Sequence, residues 1–210
     1  MSFKRTIILA NGTFPKSKHL LDMLDSTESQ IICCDGAVNK LLKSGRKPSL
    51  IIGDLDSVSQ EHKEEFKDII VQIADQNTND LTKAVNWCVA NNIEEVIILG
   101  ATGEREDHTI GNIALLSEYH KRIKVSMHTD NGVFIPISQS TTFEVEKGRQ
   151  ISLFSLNPNL EISSKGLKYP LDKLALKGWW MGTLNEAIEN EFQINFEGES
   201  AVIVYILEKE

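Results

Sequence analysis

The chain has 210 residues, enough for one large domain or two small ones with a real core. Its formal net charge is -8 and it shows no Lys/Arg cluster, which argues against a nucleic-acid partner. With 41% apolar and 25% charged residues, and no apolar run near the ~20 residues of a membrane span, the composition is that of a globular protein and argues against a membrane protein.

The N-terminal "MSFKRTIILANG" has too short an apolar run for a signal peptide, so a cytoplasmic location is expected. Cys33, Cys34 and Cys88 are odd in number and form no CxxC pair. That suits buried free thiols in a reducing compartment better than a disulfide framework or a zinc site.

In chain order, "RTIILA" (5–10), "QIICC" (30–34), "SLIIG" (49–53), "DIIVQIA" (68–74), "EVIILG" (95–100) and "IKVSMH" (123–128) are short β-rich runs. Their nearly continuous apolar character is that of strands covered on both faces. Between them, "NDLTKAVNWCVANN" (79–92) sets Leu81, Ala84, Val85 and Cys88 at one-face helical spacing. "DHTIGNIALLSEYHK" (107–121) predicts a helix capped by Asp107, with Ile110, Ile113 and Ala114 on its apolar face. Alternating β and α elements predict an α/β, doubly wound, mainly parallel sheet over residues 1–130, with helices on both faces.

After residue 130 the pattern changes. "TTFEVE", "RQISLFSL", "EFQINFE" and "AVIVYIL" are short strands between turn signals such as Asn131-Gly132, Lys147-Gly148 and Asn157-Pro158. The one hint of helical period falls near 184–190. Residues 131–210 are therefore expected to form a smaller all-β sandwich. Within it, Trp179 and Trp180 would point opposite ways if extended, one toward the core and one toward a ligand or partner.

In the first region polar clusters follow strand after strand: Asn11-Gly12, Asp35-Gly36, Gly53-Asp54-Leu55-Asp56-Ser57, "DQNTND" (75–80) and "GATGEREDH" (100–108). In a parallel sheet these all lie on the carboxyl edge, where open α/β sheets bind ligands. Asp54 and Asp56, two apart on a turn and joined by Asp80, have the chemistry to share a divalent cation such as Mg²⁺. An Asx-turn and a first-turn helix position explain the same residues without a metal. The glycines of "GATGEREDH" could offer backbone N–H groups to an anion, with Arg105 as a bidentate phosphate contact and His108 as a donor. A glycine turn with a surface arginine is the competing reading, and neither common nucleotide fingerprint is present. His19, His62, His120 and His128 have no sequence partners and read as structural or solvated.

The ordered set "CDGAVN" (34–39), "PSLIIGDLDS" (48–57), "DQNTNDLTKA" (75–84), "GATGEREDH" (100–108) and "GLKYPL…GTLNE" (166–186) resembles the thiamine pyrophosphokinase family in its bacterial form, over nearly the whole chain. The resemblance implies transfer of the pyrophosphoryl group of ATP to the thiamine hydroxyl, giving thiamine diphosphate and AMP. It also implies an α/β domain that handles nucleotide and Mg²⁺, a β-sandwich domain for thiamine binding and dimerisation, and a homodimer with thiamine between subunits. Asp54, Asp56 and Asp80 match the family's metal- and phosphate-holding acids and, with Arg105, form the expected catalytic set. Asn11, Gly12, Thr102, Gly103, Arg105, Asp107 and His108 would line the ATP site. Asp35, Asn39, Gln76, Thr183 and Asn185 would lie near the reacting groups and thiamine. The family commonly carries Ser where this chain has Leu184, Gly where it has Glu104, and Thr where it has Asn79. The rivals are a DxD nucleotide-sugar transferase, an aspartyl phosphohydrolase, and a non-catalytic thiamine or nucleotide sensor.

Overall fold

The computed structural model describes residues 4–208, which divide into two compact units. Of the described residues, unit one takes those up to 113 together with 122–130, and unit two takes 114–121 together with those from 131 onward.

In unit one, β1 (Arg5–Leu9), β2 (Ser29–Cys34), β3 (Leu50–Gly53), β4 (Ile70–Gln72), β5 (Glu95–Leu99) and β6 (Lys124–Thr129) pair in parallel, in the order β6-β5-β1-β2-β3-β4. The chain walks outward from β1 to β4, then returns to the other side of β1 as β5. That reversal puts a topological switch point at the carboxyl end of β1. The run predicted as strand over 68–74 is shorter: a 3₁₀ turn covers Lys67–Ile69 and the strand only Ile70–Gln72.

Side chains alternate between two covered faces. Ile7, Leu9, Ile31, Cys33, Ile51 and Leu99 pack on one face against Leu20 and Leu24 of α1 (Lys18–Asp25) and Ala37, Val38 and Leu41 of α2 (Ala37–Lys43). Between them Ile8, Ile32, Ile52 and Ile98 are fully buried, and α4 (Asp80–Ala90) packs on β1, β2 and β3 with Leu81, Ala84, Val85 and Cys88 buried. Each such aliphatic side chain contributes roughly 1.5–3 kcal/mol by leaving water. The three cysteines are free and buried; burial pushes the Cys33 thiol far up and that of Cys88 to about 12, so neither is a thiolate at neutral pH.

A short α3 (Gln60–Glu65) is capped by Ser59, whose hydroxyl accepts from His62 N. The last helix, α5 (Glu106–Tyr119), departs from its expected face. It begins at Glu106, which puts Asp107 inside the first turn instead of at the cap. Ile110 is 57% exposed, and the buried residues are Leu116, Ser117 and Tyr119. The buried stripe thus belongs to the second half of the helix, while the first half borders the switch-point loops.

Unit two is antiparallel. Strands β12 (Asn185–Glu186), β9 (Gln150–Ser155), β14 (Val202–Leu207) and β7 (Gly132–Ile137) pair in that order, facing a second sheet of β11 (Leu174–Ala175), β10 (Glu161–Lys165), β13 (Glu191–Asn195) and β8 (Thr141–Glu144). Burial alternates along them, as in β9 and β13, and the inward residues Ile151, Leu153, Ile162, Phe192, Ile194, Val202 and Val204 form one core. Phe143 stacks on Phe192 at 4.9 Å within it. No helix occupies 184–190; a 3₁₀ turn at Trp179–Gly182 is followed by β12. The tryptophans part company in that turn without being extended: Trp179 packs edge-on against Phe154, and Trp180 is 78% exposed.

Candidate active site

The loops at the carboxyl edge of unit one converge at the switch point. Gly12 N donates to Gly100 O and Thr13 N to Thr102 O, tying the loop after β1 to the loop after β5. A Cβ on Gly12 would stand 2.5 Å from Thr102 O, so only glycine permits this approach. The resulting cleft, about 300 Å³, is lined by Asn11, Gly12, Asp35, Asp80, Gly103, Glu104, Arg105 and His108 among others. Unit two carries a wider groove of about 830 Å³ along Asn157, Ser163 and Lys173, but no buried, unpaired polar atom among the described residues borders it.

Asp35, Asp54 and Asp80 each offer a carboxylate oxygen, and these oxygens lie within 4.8 Å of one another. Each acid is delivered differently. Asp35 follows β2 with φ 38, a left-handed backbone uncommon for aspartate. Its place depends on Gly53, where an added Cβ would sit 2.8 Å from Asp35 Cβ. Asp54 follows β3, and its Oδ1 accepts from Asp56 N at 3.2 Å while Oδ2 accepts from Gln76 Nε2 at 3.3 Å. Asp80 is the first residue of α4, and the helix is capped by Asn79, whose Oδ1 accepts from Thr82 N. Asn79 therefore fills the capping position well.

Asp35 is 6% exposed. Its Oδ2 accepts from Ser57 N, and its Oδ1 is buried with no partner. Burial, with smaller contributions from Asp80 and Asp54, raises its pKa above the usual carboxylate range. By contrast the Asp56 N–H first, then Gln76 and Lys83, hold Asp54 below that range.

Asp56 is exposed and is not in the carboxylate set; the turn spends its N–H on Asp54 and carries its side chain outward. Asp35, expected near the substrate, stands where Asp56 was expected. Sequence reasoning also passed over Lys83, which is 3% exposed, with Nζ 2.9 Å from Asp80 Oδ1 and 3.9 Å from Asp54 Oδ2. Burial alone would lower its pKa, but the Asp80, Asp54 and Asp75 carboxylates outweigh it and keep the ammonium charged. The available signal was its (i, i+3) spacing from Asp80, which sets the two side chains next to each other on α4.

The remaining predicted residues fall as follows. Asn39 spans Ser57 O and the His62 ring, and Gln76 reaches Asp54. Thr102 lends its carbonyl to the loop seam, and Gly103 N donates to Thr109 Oγ1. Arg105 and Asp107 form an exposed bidentate pair, with Nε–Oδ1 at 3.1 Å, which draws the Asp107 pKa down to about 2. In unit two, Thr183 bonds Trp180 O, and Asn185 is buried with both ends of its amide on the Tyr169 backbone.

A parallel sheet whose carboxyl-edge loops gather three acids beside a glycine-rich, N–H-bearing loop belongs to the phosphate-handling α/β class. The thiamin pyrophosphokinase catalytic domain matches residues 21–127, and the thiamin pyrophosphokinase substrate-binding domain matches residues 132–205. Among relatives, thiamin pyrophosphokinase 1 of Caenorhabditis elegans is 27% identical over 197 residues, spanning 85% of this chain and 79% of its own. Thiamine pyrophosphokinase of Bacillus subtilis (strain 168) is 28% identical over 166 residues, spanning 74% of this chain and 77% of its own. The crystal structure of thiamine pyrophosphokinase from Bacillus subtilis superposes with TM-score 0.76 at 24% identity, covering 98% of this chain and 100% of that one. That of yeast thiamin pyrophosphokinase superposes at 0.78 and 18% identity, covering 98% and 87%. The chain belongs to the thiamine pyrophosphokinase family, and it is an enzyme that forms thiamine diphosphate from thiamine at the expense of ATP. The nucleotide-sugar transferase, phosphohydrolase and sensor readings find no support in these matches.

Proposed function

We propose that the unit-one cleft binds the triphosphate of ATP and that Asp35, Asp54 and Asp80 hold Mg²⁺ against it. The observation that carries this reading is the buried, unpartnered Oδ1 of Asp35 beside two further carboxylates. A buried acceptor without a donor is costly, and a hard cation satisfies it with the oxygen donors that Mg²⁺ prefers. Three carboxylates and the Lys83 ammonium leave a local charge of -2, which one divalent ion neutralises. When bound, the ion supplies charge neutralisation on the phosphates.

The thiamine hydroxyl oxygen attacks the β-phosphorus, the bond from that phosphorus to the α-phosphate oxygen breaks, and AMP leaves. The hydroxyl proton passes to a carboxylate of the aspartate set. Positioning and charge dominate such transfers. The N–H groups of the loop after β5, with Arg105 and His108, hold the nucleotide. Lys83 keeps the Asp54 and Asp80 oxygens turned toward one point. Arg105 must exchange Asp107 for phosphate to contribute.

On the thiamine side we place Gln76, Asn39 and Thr183, with Asn185 as the residue that fixes the Tyr169 segment. The chain acts as a cytoplasmic homodimer, its exposed Trp180, Leu184 and Tyr169 meeting thiamine and the second copy. The test is Mg²⁺ titration by calorimetry on the wild type and D35N, with product separation by chromatography. Wild-type binding that D35N abolishes, and equal thiamine diphosphate and AMP lost in EDTA, support the assignment. Unchanged Mg²⁺ binding in D35N refutes it.

A further inference from the structure

Lys40, on α2, reaches into the wall of the same cleft. Its Nζ donates to Asn11 O and Gly12 O at 2.8 Å each and to Glu104 Oε1 at 2.6 Å. An ammonium has three donors, and all are used. One side chain thereby joins α2, the loop after β1 and the loop after β5. Glu104 stands at φ 62, a left-handed conformation that a glutamate rarely adopts without cause, and it lines the cleft between Gly103 and Arg105.

The charges matter as much as the geometry. A free carboxylate at position 104 would repel a polyphosphate, and a free ammonium at position 40 would hold one tightly. Paired, each removes the other from the nucleotide's field. Ordinary surface pairs contribute little, but the Lys40 side chain is 29% exposed and two of its three acceptors are backbone carbonyls of the cleft itself.

We infer that Lys40 and Glu104 form a charge-balanced staple that sets the affinity of the cleft for the nucleotide's phosphates. Lys40 is the positioning residue and Glu104 the brake on its charge. The inference rests on the reading of this cleft as the nucleotide site.

The test is calorimetric binding of an ATP analogue with a methylene bridge between the α and β phosphorus atoms, which cannot be turned over. It compares wild type, K40M, E104Q and K40M/E104Q at low and high salt, with thermal unfolding as a check on folding. K40M exposes the Glu104 carboxylate and weakens the analogue by about tenfold, from the size of a partly screened like-charge contact. E104Q frees the ammonium and tightens binding several-fold, more so at low salt. The double variant returns to within about threefold of wild type, since both charges are then gone.

Equal weakening in K40M and the double variant would overturn the inference, because Lys40 would then only prop the loops. So would an E104Q affinity at or below wild type, a result readable even if K40M does not fold. A wild type that forms thiamine diphosphate but does not bind the analogue overturns the nucleotide reading of the cleft, and the staple with it.

Discussion

The two units use their apolar side chains in opposite ways. In unit one the strands are covered on both faces, as in β2, whose last four residues are all buried, and the groups left for chemistry are charged side chains in loops. In unit two burial alternates along strands such as β8, β9, β10 and β13, and large apolar groups remain outside: Trp180 at 78%, Leu184 at 80% and Tyr169 at 62% exposure. A parallel sheet gathers its loops at one edge, so it concentrates charge. An antiparallel sandwich has loops at both ends and one solvated face per sheet, so it offers surface. The substitutions that break unit one should therefore act on turnover and charge, and those in unit two on binding.

The sharpest break in unit one is at the acids. D54N and D80N should each cut turnover by about 10²–10³-fold, the range seen when one preorganised electrostatic group is lost. D56N should cost less than about tenfold, because its carboxylate stands outside the set and its N–H contact to Asp54 survives the change. Initial rates of thiamine diphosphate formation at saturating substrates decide it; a D56N loss equal to that of D54N would give Asp56 a role beside the three clustered carboxylates.

Next comes Lys83. Breaking a buried ion pair costs roughly 3–5 kcal/mol, and K83M should fall at or below the low end because Asp54 and Asp80 keep 23% and 30% of their side-chain exposure. The metal reading adds a sign: with the ammonium gone, the carboxylates gain more from a cation, so Mg²⁺ should raise the melting temperature of K83M more than that of wild type. Equal Mg²⁺ shifts would mean that Lys83 serves folding alone.

These two cases mark where the sequence was legible. The parallel unit follows from nearly continuous apolar runs between helical patterns, the antiparallel unit from short strands between turn signals, and the carboxyl-edge clustering from the polar residues that follow each parallel strand. Asp54 and Asp80 were legible because loops after consecutive strands must share an edge. Asp35 beside them was not, since its aim depends on φ 38 and on the absent side chain of Gly53, neither of which is periodic. Lys83 was hidden by convention: a lysine in an amphipathic helix reads as solvated until a partner carboxylate appears beneath it. Ile110 failed in the opposite sense, an apolar residue at core spacing on a half-helix that borders a cleft.

A smaller effect tests the dry strands of unit one. Burial, with Arg5 and His19 adding to it, pushes the His128 pKa down to about 4. Between about pH 6.5 and 4 the unfolded chain binds a proton at this site and the folded chain does not. Stability is therefore complete above about 6.5 and lost as pH falls, by roughly 2 kcal/mol after allowing for partial exposure. H128Q should remove that part of the slope in denaturant titrations run at each pH; an unchanged slope would place the acid sensitivity elsewhere.

The smallest effect belongs to unit two and asks whether its outward apolar groups are functional surface. Leu184 is 80% exposed at φ 62, so it contributes almost nothing to the core and sits in a left-handed conformation that suits asparagine or glycine better. If it were only a surface residue, L184N should stabilise the chain by a few tenths of a kcal/mol, the scale of a relieved backbone preference. If it meets thiamine or the second copy, the same change removes apolar contact area and should raise the thiamine KM several-fold at constant kcat. Melting temperature and KM thus move in opposite functional directions from one substitution. W180A supplies the control: Trp180 is equally exposed but has φ in the ordinary range, so a KM rise shared by both variants identifies surface loss, and a change confined to L184N identifies the backbone.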